Sequence, residues 1–135
     1  MWNSIFQMDK KIISAAGFLG MTAIILGAFG AHALKKVLPV EALATFEVGV
    51  RYHMYHALFL LFVGLYPSIS EKLKTYILRL TLLGIVLFSG SIYLLSTQTL
   101  LGLDLKIVGP LTPLGGACLI AAWALLFFPF LKKKA

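Results

Sequence analysis

Cysteine and acidic residues are what this chain has least of. One cysteine, Cys118, stands in 135 residues, so no internal disulfide can form and no C-x-x-C-H attachment for haem exists. Five Asp and Glu face twelve Lys and Arg, and charged residues make up only 13% of the chain. No carboxylate pair lies inside the apolar segments, and there is no G-x-S-x-G, no H-E-x-x-H and no glycine-rich phosphate loop after a strand. Hydrolase, metalloprotease and nucleotide chemistry therefore lack their usual residues. No enzymatic activity and no cofactor are expected. Alternation of apolar and polar residues is also missing, which excludes a transmembrane barrel.

What is present is apolar length. Hydrophobic residues are 60% of the sequence. Ile12 to Leu34 runs 23 residues without a formal charge, Ile77 to Leu95 runs 19 with Arg79 alone, and Leu111 to Leu131 runs 21 with none. A helix rises about 1.5 Å per residue, so about 20 residues cross a hydrocarbon core of about 30 Å. A fourth segment opens at Pro39, carries Glu41, Glu47, Arg51, His53 and His56 in its first half, and stays apolar to Tyr66, where Pro67 ends it. The pattern predicts one all-α integral membrane domain over residues 1–135. It is a four-helix transmembrane bundle with helices at about 12–34, 40–66, 77–95 and 113–131. Thr112 reads as the N-cap of the last helix and Pro113 as its first residue.

Lys10-Lys11 before an apolar run ending Ala31-His32-Ala33 imitates a signal peptide, but a signal core has only about 7–15 residues. The first helix is expected to be retained. With four spans, Lys10, Lys11, Lys72, Lys74, Arg79 and the Lys132-Lys133-Lys134 tail share one side, eight cations against four on the other. The positive-inside rule places both termini in the cytoplasm. The tail reads as an anchor on anionic headgroups, and no folded basic domain suggests nucleic acid. Trp2 and Phe6 read as interfacial aromatics. The multi-pass protein is expected in a bacterial inner membrane, with a mitochondrial inner membrane as the alternative.

Small residues mark where helices approach. Gly20, Ala23, Gly27, Gly30 and Ala31 line the first helix, and Gly115-Gly116 follow the start of the fourth. Such residues let backbones come close. They read as a packing seam, with a homo-oligomer contact as another use.

Ionisable groups in a span usually face other helices, a wet cavity or the interface, because burial in lipid is costly. The segment Arg51-Tyr52-His53-Met54-Tyr55-His56 is therefore the candidate site, at the non-cytoplasmic end of the bundle. Glu47 and Arg51 are four apart and can pair. The topology brings His32, Glu47, Arg51, Tyr52, His53, His56, Tyr93 and Thr112 to the same end. Three readings follow. The group is a polar clasp between helices; or it binds an anionic headgroup, a quinone-like molecule or a proton, as a small oligomeric channel or transporter would; or His32, Glu47, His53 and His56 hold a metal. The favoured role is a non-enzymatic accessory or lipid-interacting factor whose partners are the bilayer, a second copy or another membrane protein.

Four motifs occur in order: Gly27-Ala28-Phe29-Gly30-Ala31-His32-Ala33-Leu34, Arg51 to Leu58, Phe88-Ser89-Gly90-Ser91-Ile92-Tyr93, and Leu111-Thr112-Pro113-Leu114-Gly115-Gly116. Together they resemble the YgdD/YwdK-like family of small bacterial inner-membrane proteins of unknown function, which has distant eukaryotic transmembrane relatives. The resemblance runs from about Lys11 to Phe128. It implies a four-helix membrane protein and brings no catalytic residues.

Overall fold

The structure, a computed structural model, describes the backbone of residues 2–132 and the side chains of residues 7–132. The placements expected for Trp2, Phe6, Lys133 and Lys134 lie outside these described residues. Four helices carry the chain: α1 Trp2–His32, α2 Val40–Leu65, α3 Glu71–Leu101 and α4 Leu111–Phe127, with no strand among the described residues. All four segments are long and apolar enough to cross a membrane.

The helices differ from the apolar runs at their ends, for local reasons. α1 and α3 extend past the hydrophobic stretch into charged sequence, because backbone hydrogen bonds continue wherever no residue breaks them. Ser70 starts α3, its Oγ accepting from the Leu73 N–H at 3.2 Å. Gly102 stops it: at φ +66° it adopts the left-handed conformation, and the Gly102 and Leu103 N–H groups close back on the Thr99 and Gln98 carbonyls. α2 ends before Pro67, which holds Tyr66 in an extended conformation. α4 opens at Leu111, ahead of the expected cap, and Thr112 makes no capping bond. The helix also stops at Phe127 rather than reaching residue 131. Pro129 has no N–H to continue it, and Phe128–Leu131 tightens into a 3₁₀ turn.

Sequential helices pack antiparallel. On the α1–α2 seam, a Cβ added to Gly20 would meet Ala57, one on Gly27 would meet Val50 and one on Gly30 would meet Phe46. On the α3–α4 seam Gly84 opposes Leu119, Phe88 opposes Gly115 and Ser91 opposes Thr112. Numbers fall on one helix as they rise on the other. The start of α1, the end of α2, the start of α3 and the end of α4 therefore share one end of the bundle.

α2 and α3 are the central helices, with more of their surface covered than α1 or α4. The main core joins Ile12, Ala16 and Leu19 of α1 to Leu60 and Val63 of α2, Ile77 and Ile85 of α3, and Leu119 of α4. One charge enters this core. Lys74, which the charge pattern treats as a surface anchor, is 1% exposed, and its Nζ lies 2.7 Å from Asp9 Oδ1 on α1. The partly exposed Asp9 makes this tolerable, since an isolated buried charge would lose its hydration uncompensated.

Candidate functional site

Two histidines on α2 organise the interior. His53 lies between α1 and α3. Its Nε2 is 3.0 Å from Thr22 Oγ1, and its Nδ1 is 2.8 Å from the Tyr93 hydroxyl. The Thr22 hydroxyl donates its one proton to the Phe18 or Leu19 carbonyl. It therefore accepts from His53 Nε2–H, and Nδ1 accepts from Tyr93 O–H. A neutral imidazole satisfies all three helices at once. Nearby, Ser89 Oγ donates to the Gly49 carbonyl at 2.8 Å, and the Tyr93 ring covers Gly49 so closely that an added Cβ would lie 2.8 Å from it.

His56 faces the other way, toward α4. Its Nδ1 donates to the Tyr52 carbonyl at 2.7 Å, leaving Nε2 to accept the Trp123 indole N–H at 3.1 Å. This fixes the tautomer. The Phe59 and Trp123 rings pack 4.2 Å apart beside it. Above this floor α2 and α4 do not close on each other. They leave a lateral groove of about 680 Å³ walled by Tyr52, Tyr55, Phe59, Phe62, Trp123 and Leu126. A further space of about 410 Å³ continues it along Tyr66, Phe127 and Phe130. Phe62, Phe127 and Phe130 are more than half exposed on its rim.

A family model described as "Protein of unknown function (DUF423)" matches residues 26–116, most of the chain, with all of α2 and α3, the end of α1 and the start of α4. The chain belongs to the DUF423 family. It is 38% identical to the UPF0382 membrane protein YwdK of Bacillus subtilis, over 91% of this chain and 98% of that protein. It is 31% identical to the UPF0382 inner membrane protein YgdD of Escherichia coli, over 93% of each. A Haemophilus influenzae UPF0382 membrane protein is 30% identical over 95% of this chain and 99% of its own length. No solved structure matches. This DUF423 chain is thus a small integral membrane protein, as its resemblance implied.

Within this family member the structure divides the predicted site residues. His53 joins Tyr93, and His56 joins Tyr52 and Trp123, on different sides of α2. Thr112 belongs to a third contact, donating to Ser91 Oγ at 2.5 Å while Ser91 donates to the Phe88 carbonyl. His32, Glu47 and Arg51 are exposed, and no ion pair joins Glu47 to Arg51. The four groups suggested for a metal are not gathered, because both buried imidazoles spend their nitrogens on protein partners. Among the described residues no group of three His, Cys, Asp or Glu side chains is placed to hold a metal. Of the small residues, Gly20, Gly27 and Gly30 face α2, and Ala23 is buried. That seam is occupied within the chain and is not free for a second copy. Ala31 is exposed. Gly115 sits against the α3 backbone at Phe88, and Gly116 makes only ordinary contact with the Phe88 ring.

Sequence reasoning missed Trp123, Thr22, the Asp9–Lys74 pair and the groove. The groove did leave a signal. Tyr52, Tyr55, Phe59, Phe62 and Tyr66 recur at three- and four-residue steps, and so do Trp123, Phe127 and Phe130. Such spacing puts each set on one helix face.

Proposed function

We propose that this DUF423 protein is a non-enzymatic, lipid-interacting factor of the bacterial inner membrane, with both termini in the cytoplasm. The observation that carries this reading is the aromatic groove between α2 and α4. It opens sideways, toward what would be bilayer, and its imidazole, His56, already has both nitrogens bonded, to the Tyr52 carbonyl and the Trp123 indole. Walls made mainly of aromatic and aliphatic surface suit a hydrocarbon chain, which needs shape and dispersion contact and no hydrogen bonds. They do not suit an ion path, where polar or charged groups replace hydration. The orientation rests on the excess of Lys and Arg at the end of the bundle that carries the termini. The name of the Escherichia coli relative supports the inner membrane.

The test is lipid retention. Protein purified in mild detergent is washed, and the remaining phospholipid is counted by mass spectrometry. Near-stoichiometric lipid is expected in the wild type and a loss in Phe62→Ala and Phe127→Ala, whose exposed rings are not needed for the core. Retention unchanged in both variants, or absent from the wild type, overturns the reading.

A further inference from the structure

At the end of the bundle that carries the termini, the groove changes character. Beyond Tyr66 and Phe130, which wall it, it runs into a cup of about 470 Å³ lined also by Ser68, Ser70 and Lys132. We propose that this cup binds the phosphate-bearing headgroup of an anionic phospholipid whose acyl chain lies in the α2–α4 groove. The proposal rests on the groove reading above and adds a headgroup class and the residues that select it.

Chemistry and register both support it. The cup supplies a cation and two hydroxyls. Ser70 Oγ accepts from the Leu73 N–H, so its own proton remains available to an acceptor. Among the described residues no carboxylate lines this cup. Asp9 and Glu71 line an adjoining space of about 130 Å³ that shares Ser68 and Ser70 with it, and there Asp9 neutralises Lys74. Lys132 is exposed and is the charge at the groove's mouth. An ammonium there suits a phosphate as a compact point charge. The depth also fits. From Tyr66 back to His56 is ten residues of α2, about 15 Å at 1.5 Å per residue, which equals half of a hydrocarbon core of about 30 Å. A chain hung from the cup therefore crosses one leaflet by the level of the His56–Trp123 pair, and the groove continues past it along Tyr55 and Tyr52.

The experiment compares phosphatidylglycerol with phosphatidylcholine of identical acyl chains, added in competition to the full-length protein and read by native mass spectrometry. Wild type is expected to retain phosphatidylglycerol preferentially. Lys132→Gln is expected to lower that preference about fivefold, the equivalent of about 1 kcal/mol for one cation at an anionic surface, while leaving phosphatidylcholine retention unchanged. Phe62→Ala is expected to lose both lipids. Equal retention of the two lipids by wild type overturns the headgroup site and leaves the groove reading standing. So does a preference that survives Lys132→Gln, or one that falls equally in Lys72→Gln, an exposed lysine outside the cup. Retention of neither lipid overturns both.

Discussion

The Trp123 indole N–H donates to His56 Nε2 across 3.1 Å, joining two helices, α2 and α4, that otherwise stand apart along an open groove. The bond works as a cross-brace at the base of that groove. Trp123→Phe keeps most of the ring contact with Phe59 and removes only the donor. It is expected to lower stability by about 0.6 kcal/mol, the average for side-chain bonds between membrane helices. Unfolding by SDS titration in mixed micelles measures this. No change would mean that the bond adds nothing to the ring packing between α2 and α4.

The Thr22–His53–Tyr93 bridge makes a different prediction, because one imidazole serves two partners. Thr22→Val and Tyr93→Phe each leave a His53 nitrogen unsatisfied in a buried site, and each is expected to be destabilising by about 1–3 kcal/mol. The two losses should not add, since a neutral imidazole freed on one side can change tautomer or rotate. A double-mutant cycle reads the coupling directly.

Asp9 pairs from a partly exposed position with the buried Lys74, so the two single deletions are unequal to the double. Asp9→Ala leaves the ammonium buried without its counter-charge and is expected to be destabilising by about 3–5 kcal/mol. Adding Lys74→Met should recover most of that loss, because an apolar chain of similar length needs no partner. Failure of the double variant to recover would show that Asp9 has a second structural task.

Adjacent glycines on α4 separate backbone contact from side-chain contact. A Cβ on Gly115 would strike the Phe88 backbone, including its N, and backbone cannot swing aside. Gly115→Ala is expected to be destabilising by about 1–3 kcal/mol, the usual range for overpacking. A Cβ on Gly116 would meet only the Phe88 ring, at 3.7 Å, so Gly116→Ala should be neutral or slightly stabilising through better helix propensity. Equal effects would mean the α3–α4 seam is looser than drawn.

Orientation has its own test. In a Cys118→Ala background, Ile107→Cys sits in the strongly exposed α3–α4 link and Ser68→Cys in the turn between α2 and α3. A membrane-impermeant thiol reagent is expected to label the first in intact cells and the second only in inverted vesicles. The reverse result would place the termini outside.

Apolar length and the prolines determined the membrane class, the number of spans and the ends of α2 beside Pro39 and Pro67, because these depend on local backbone rules and on the thickness of a bilayer. The small residues also marked Gly27, Gly30 and Gly115, which sit at close approaches. Only the tertiary structure decided what the polar residues do. His53 and His56 read as one cluster because three residues separate them. Three residues still leave the two side chains about 60° apart around the helix, which at the centre of a bundle is enough to turn one ring into the α1–α3 gap and the other to α4. Glu47 and Arg51 are suitably spaced to pair, yet both point outward. Lys74 looks like any other cation near a span, and its partner Asp9 lies 65 residues away. Trp123 stands in an apolar run that carries no mark of a hydrogen bond. Neighbours along one helix are legible in a sequence. Neighbours across helices depend on rotation and register, which emerge only when four faces have to pack at once.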